Sequence, residues 1–548
     1  MAKDKEEKAD LSGVAKAKSE GAARRIKDRA GDIANTLEWL ITAFALAFVF
    51  RAFVMEAFRI PTGSMADTLL GAHYRLRCTE CGYKYCFGQT SFKPPAGQAQ
   101  GRFARQEYSR CPNCGYFQAI PAGPGESASS GDRILVLKCI YQFVKPKQWD
   151  VLVFKNPLDP TENYIKRLVG RPGETVEIID GDVYIDGLIS RKPAKVQDEL
   201  WMPVYDNDYQ PARPEEPTFN GHAWQQPFNN AEGSNWLMDE ENPTIFRLAE
   251  IPGRLHRLDY DTSLGNDFRT TYAYDDTSDY RFMPYCSDLM IRFWVSSGET
   301  NGLTGASLSK YGINYTGQVD FAGRMTISRV SDGNEQTLAT KTIAPLTVDG
   351  AQRRPTLLRF ANVDHQLVLE FGDELLIHDL GKGPQDAGAR RIDSEPQVWI
   401  LGEGNITLSH TAIFRDLYYT ARSPNSNVMG RATEGNALAL EKDQFFMLGD
   451  NSPRSEDGRW WASPGKGNNG RTYVEGIVPR EYLVGKALFV YWPAGFKPFP
   501  KFPLALIPNV GEIRFIYGGS TPSTSLRTGD LTAGGSTPPV TGGTETGE

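Results

Sequence analysis

Histidine is scarce in this chain: six residues in 548, five of them between His222 and His410. No Ser/His/Asp arrangement is apparent among them, and their place in what reads as a separate domain directs the search for a base to other residue types. An excess of positive charge is missing too. Sixty Lys and Arg stand against 67 Asp and Glu, for a net charge of −7. Phosphate binding needs a concentrated basic face, so a general nucleic-acid binder is excluded. Seven cysteines are too few for a disulfide scaffold of this length, yet five of them crowd between Cys78 and Cys114. Long apolar runs are absent apart from one, at residues 37–55.

With 40% hydrophobic residues the chain can bury a large core, and its length suits several domains. The apolar run predicts a transmembrane helix over 37–57, with Glu38 and Arg51 near enough to its ends to snorkel and Trp39 at an interfacial position. No small-x-small cleavage pattern follows it, which argues against a removed signal sequence. Residues 1–36 read as a polar cytoplasmic tail. Arg24, Arg25, Lys27 and Arg29 precede the span and favour a cytoplasmic N-terminus, with everything after Met55 outside.

Directly after the span comes Phe58-Arg59-Ile60-Pro61-Thr62-Gly63-Ser64-Met65. Ser64, beside Gly63 and after the turn-forming Pro61, is placed to meet an extended peptide backbone; the same residues also make an ordinary turn. Cys78-Thr79-Glu80-Cys81-Gly82 and Cys111-Pro112-Asn113-Cys114-Gly115 follow. Two such turns suit a tetrahedral zinc site of Cys78, Cys81, Cys111 and Cys114, and an extracytoplasmic position leaves disulfides or a redox pair open as alternatives. Four thiolates would fill the metal's shell, so the zinc would be structural and not catalytic. The Gly- and Pro-rich spacer near 94–101 suits a loop.

From Gly131 the text turns to short β-branched runs at 134–136, 150–154, 164–169 and 175–179, separated by Pro-Gly and Asp-Gly turns. Lys166 is the odd residue, set between Ile165 and Arg167-Leu168-Val169. Turned to the sheet interior it would lose hydration, and its pKa would fall from about 10.4 toward neutrality; on a wet edge it would not. Much later, the apolar residues 445–448 break into Gly449-Asp450-Asn451-Ser452-Pro453-Arg454-Ser455-Glu456-Asp457-Gly458-Arg459. Ser455 and Asp457 are candidates to hold an amine, and Arg459 with Asp450 to pair and stiffen the loop.

In order and in spacing from the span, residues 61–65, 164–174 and 449–459 resemble the sequence boxes of bacterial type I signal peptidases, with Gln148-Trp149-Asp150-Val151-Leu152-Val153-Phe154 as a fourth. The resemblance covers 56–70, 131–190 and 440–495. It implies a Ser/Lys dyad with Ser64 as nucleophile and Lys166 as general base, and an oxyanion hole from the Ser64 N–H and the Thr62 hydroxyl. It further implies that Ser455 orients the lysine, that Asp457 and Arg459 support it, and that Phe58, Ile60, Pro61 and Ile165 line shallow pockets for small residues. Exported precursor proteins with Ala-x-Ala-like sites would be the substrates, and catalysis would need no cofactor. Three positions depart from the family: Asp67 stands where proline is usual, Ser452-Pro453-Arg454 where Arg-Asp-Asn is usual, and Gly458 where serine is frequent.

The expected architecture is mainly β: an N-terminal transmembrane helix, an antiparallel barrel-like peptidase core in pieces 58–70, 131–190 and 441–517, and two inserts. The first, 71–130, is zinc-ribbon-like; it interrupts a core strand that Gly71-Ala72-His73-Tyr74 begins and Gly131-Asp132-Arg133 resumes. The second, 191–440, alternates as a β-sandwich of lectin-like or laminin-G-like type, with Ile291, Phe293 and Val295 on one face and Leu367, Leu369 and Phe371 on another. A glycan or protein would be its ligand, although the aromatics of 201–236 suit packing on a neighbour better than a binding face. A Ser/Thr/Gly/Pro-rich tail from Gly518 reads as disordered. Together these predict a single-pass protein of the cytoplasmic membrane, in contact with the lipid bilayer, that removes signal peptides outside. The competing readings are a surface-binding protein that keeps the peptidase fold as scaffold, and a zinc-dependent enzyme.

Overall fold

The computed structural model describes residues 32–88, 108–120, 129–211, 223–238, 242–250, 252–275, 282–297, 301–331, 333–345, 355–386, 394–422, 428–466, 472–493, 495 and 509–519. The polar tail up to residue 31, the spacer at 94–101 and the C-terminal stretch from 520 lie outside the described residues.

The first element is a helix, Asp32–Val54, long and apolar enough to cross a membrane. It ends in a π-helical turn, Phe50–Val54, and Met55 leaves it in extended conformation. The predicted span to residue 57 therefore runs too far. Met55–Arg59 is a strand, because its backbone groups find partners on Arg133–Leu137, in register from Met55 with Leu137 to Arg59 with Arg133.

The chain is mainly β. Its core sheet runs in the order Met55–Arg59, Arg133–Leu137, Leu483–Trp492, Val151–Lys155, Asn163–Gly170, Gln444–Leu448, Val478–Pro479, with Arg514–Phe515 added on Leu483–Trp492. The period-2 alternation of strands decides how the two faces pack. Val151 and Val153 join Ile60, Met65, Leu69, Ile134 and Val136 on one side, while Leu152 and Phe154 join Leu168, Phe445, Met447 and Trp461 on the other. A smaller sheet, Leu188–Ile189, Asp182–Ile185, Thr175–Ile179 and Leu438–Ala439, follows the lysine-bearing strand.

Two larger sheets lie between. One is centred on Leu289–Ser297 and Asn405–Arg415, the other on Leu303–Lys310 and Val398–Glu403, and their inner faces share one apolar core. Ile291, Phe293, Val295, Leu367, Leu369 and Phe371 all face it. Tyr205 and Trp236, from the aromatic stretch, are buried there as well, and Trp224 packs on the cysteine cluster. Those aromatics therefore pack inward.

The cysteine-rich stretch forms two hairpins, His73–Arg77 with Lys84–Gly88 and Tyr108–Arg110 with Phe117–Ala119. Residues 73–77 thus pair within this module and do not begin the core strand; Arg133–Leu137 supplies that strand whole. Gly82 and Gly115 take positive φ, 76° and 74°, where each Cys-x-x-Cys turn reverses into its second strand.

Candidate active site

Ser64 is carried by a turn that its neighbours anchor. Met65, Ala66 and Leu69 are fully buried, Ala66 N–H donates to the Gly63 carbonyl, and Leu69 N–H to that of Met65. Lys166 sits in Asn163–Gly170, paired across to Leu152, and is 4% exposed. Its Nζ lies 2.5 Å from Ser64 Oγ. Burial lowers the lysine pKa to about 8, opposed in part by the charge of Asp457. Roughly a fifth of the amine is therefore neutral near physiological pH, where an ordinary lysine has only about one part in a thousand neutral, and it is in contact with a hydroxyl it can deprotonate.

The polar loop 449–459 wraps this pair. Arg459 is gripped by Asp457 at two points, Nε to Oδ1 at 2.9 Å and Nη2 to Oδ2 at 2.8 Å, and both side chains are fully shielded. Asp457 also accepts the Gly449 N–H at 3.0 Å. The predicted Arg459–Asp450 pair is corrected: Asp450 is taken by Arg167, which donates to it from Nε at 2.8 Å and Nη2 at 2.7 Å. Arg167 was missed. Its signal was its place beside Lys166, since alternation sends the next side chain to the opposite face of the strand. Ser455 is buried beside Gly449, but its hydroxyl makes no hydrogen bond among the described residues, so the bond expected to orient Lys166 is not formed. Asn451 N–H donates to the Ser64 carbonyl at 3.1 Å.

Two of the three departures have a structural use. Ser452 Oγ accepts from Arg459 Nη1 at 2.7 Å and from the Thr420 N–H at 2.8 Å, so the altered loop still holds its arginine. At Gly458 a Cβ would lie 2.6 Å from the Phe446 ring and 2.7 Å from the Gly476 carbonyl, which leaves no room for serine. Asp67 is exposed, and nothing in the structure explains it.

Phe58, Ile60 and Ile165 share one apolar cluster, while Pro61 and Thr62 are exposed beside it. The strand Met55–Arg59 ends the core sheet, and Gln444–Leu448 pairs with Asn163–Gly170 only from Arg167 onward. Both therefore leave backbone free near the dyad, among the described residues. A groove of about 600 Å³, lined by Phe53, Glu56, Phe58, Lys155, Asn163 and Val484, runs from the helix end along these edges.

Cys78, Cys81, Cys111 and Cys114 are buried with their sulfurs all within 4.8 Å of one another. The Cys78–Cys114 and Cys81–Cys111 sulfur separations are both 3.6 Å. A tetrahedron with Zn–S of about 2.3 Å has sulfur–sulfur edges of about 3.8 Å, so the donor set fits zinc, whereas a disulfide would need about 2.0 Å. Cys86 stands apart from this group.

Residues 122–243 and 409–492 match the profile of the family described as signal peptidase, peptidase S26; Ser64 lies outside the matched stretches. The chain is similar to signal peptidase I of Rickettsia canadensis (strain McKiel), 28% identical over 151 residues that make up 27% of this chain and 42% of that protein. It is 29% identical to signal peptidase I of Rickettsia akari (strain Hartford) over the same shares. The matches thus span less than half the length of these curated relatives. Among solved structures, the carbohydrate binding module CBM66 from Bacillus subtilis is 10% identical, with a TM-score of 0.23 over 34% of this chain and 96% of that one. That likeness is too slight to bear on fold or ligand.

Proposed function

We propose, from the match of its core to the signal peptidase, peptidase S26, profile, that the chain is a membrane-anchored serine endopeptidase that removes signal peptides from exported precursors. The observation that carries the reading is the 2.5 Å approach of Lys166 Nζ to Ser64 Oγ in buried surroundings. Neutral Lys166 takes the Ser64 proton as Oγ attacks the scissile carbonyl; the resulting ammonium returns that proton to the leaving amine, and water then releases the acyl group from Ser64. The Ser64 N–H and the exposed Thr62 hydroxyl stabilise the tetrahedral oxyanion, where losing one donor typically costs about two to three orders of magnitude in rate. Asp457 and Arg459 hold the loop against the dyad.

An extended substrate adds as a strand at the free edges of Met55–Arg59 and residues 163–166, and its small side chains fill the pockets formed by Phe58, Ile60, Pro61 and Ile165. Residues 71–130 and 191–440 form the two inserts. Cys78, Cys81, Cys111 and Cys114 would hold a zinc ion that supplies folding energy and, with its shell filled, no reacting position. In this reading the helix anchors the chain in the cytoplasmic membrane, the basic residues before it favour a cytoplasmic N-terminus, and the peptidase lies outside with the dyad close to the bilayer surface.

Cleavage of an Ala-x-Ala precursor peptide by the detergent-solubilised full chain tests this, beside Ser64→Ala and Lys166→Met. Cleavage after the second small residue, abolished in both variants, is expected. A folded but inert wild type, or an active Lys166→Met, overturns it.

A further inference from the structure

One short loop of the larger insert, residues 270–275, reaches out of its sandwich to the nucleophile turn and to the polar loop beside the dyad. Tyr272 and Tyr274 alternate along it and are 6% and 5% exposed. Tyr272 Oη donates to the Asp450 carbonyl at 2.9 Å, and the Asp450 carboxylate holds Arg167, the residue after Lys166. Asp275 Oδ1 accepts from Asn451 Nδ2 at 2.9 Å, and Asn451 N–H in turn donates to the Ser64 carbonyl. Two consecutive residues of the polar loop thus carry contacts from the insert, one toward the lysine strand and one toward the serine.

Tyr274 makes a third contact. A Cβ built on Gly63 would fall 2.1 Å from Tyr274 Cε1, and one built on Gly88 would fall 2.2 Å from the same atom. The ring is therefore wedged between the nucleophile turn and the end of the first ribbon hairpin. Its hydroxyl donates to the Ala72 carbonyl at 3.0 Å, and its own carbonyl accepts the Gly88 N–H at 2.8 Å. Gly63 is thus needed for space: its missing side chain admits a tyrosine that lies 211 residues farther along. The loop is fixed at its base by Arg415, which donates to the Thr271 carbonyl and stacks over the Tyr272 ring at 5.2 Å.

We infer that Tyr272 and Tyr274 are positioning residues for the Ser64–Lys166 dyad, so that the inserted sandwich completes the active site instead of hanging from it as a separate binding module. The inference rests on the peptidase reading. None of these side chains touches a reacting atom. They set the separation of Oγ and Nζ through the Gly63 turn and the 450–451 loop, and a misplacement on the ångström scale is worth up to about 100-fold in rate.

The test uses the full chain with Tyr272→Phe, Tyr274→Phe and Asp275→Ala, measuring kcat, KM and thermal midpoint on the same precursor peptide. Each variant is expected to lose about tenfold in kcat while KM moves less than about twofold. The acid limb of the kcat/KM profile should also shift, which a purely structural role would not produce. The phenylalanine variants keep the rings, and Asp275→Ala acts at a half-buried site, so at least one reports if another folds poorly. Variants with wild-type kcat and an unmoved acid limb, or whose losses follow thermal midpoint alone, overturn the inference while wild-type cleavage leaves the peptidase reading standing. An inert wild type overturns both.

Discussion

Arg167 and Asp450, 283 residues apart in sequence, meet through two parallel hydrogen bonds with both side chains sealed from solvent. Removing one partner would strand the other charge in the interior, a change that typically costs about 3–5 kcal/mol. Asp450→Ala should therefore lower stability by about that amount in urea titrations. A loss under about 1 kcal/mol would mean that Arg167 finds water or another acceptor.

The pH dependence should follow Lys166. Below its pKa of about 8 the proposed base is protonated and idle, so kcat/KM is expected to rise about tenfold per pH unit up to that point and then level off. The stability sign agrees in direction. The folded pKa lies below the unfolded value of about 10.4, so the unfolded chain binds more protons between them, and this group's contribution to stability grows with pH across that window. A profile flat from about pH 6 to 9 would remove Lys166 as the base.

Atomic absorption should find one zinc per chain, lost in Cys111→Ser. Stripping the metal should unfold the two hairpins first, seen as faster proteolysis within residues 73–119, because metal binding and folding of such modules are one equilibrium. Metal-free protein with unchanged proteolysis would contradict a structural zinc.

Lys192 Nζ lies 2.5 Å from Asp364 and 2.8 Å from Asp416, and Lys310 is bonded to Asp288, with Asp182 of the small core sheet in the same buried group. Burial and the neighbouring Asp288 push the Asp182 carboxyl well above the usual range. Lys192→Met should cost about 3–5 kcal/mol, since two buried carboxylates lose their cation. Urea titration checks this, and a loss under about 1 kcal/mol would mean that water or Lys310 takes over the two carboxylates.

Gly458→Ser, which restores the residue frequent in the family, should destabilise by about 1–3 kcal/mol, because the new side chain meets the Phe446 ring and a backbone carbonyl. A neutral or stabilising outcome in thermal melts would show that the loop relaxes freely.

What the sequence by itself determined is what short-range chemistry controls. The apolar run of the helix, the unbroken apolar strand 151–154, the alternation of 291–295, the paired Cys-x-x-Cys turns and the placement of a lysine among apolar neighbours are each legible in short stretches of sequence. The helix end was misplaced because Met55, Glu56 and Ala57 all have good helix propensity, and the decision belonged to Arg133–Leu137, which pairs with them. The partners of ions and hydroxyls were decided only by tertiary structure. Asp450 had a candidate in Arg459, nine residues on, and took Arg167 instead; Ser455 lay in the right loop and bonds nothing among the described residues. Tyr272 and Tyr274 carried no signal at all, because their importance lies in three loops that meet only after the sandwich docks. Local pattern sets which backbone a segment adopts, while side-chain pairing in a low-dielectric interior depends on which groups the packing of distant segments brings within about 3 Å.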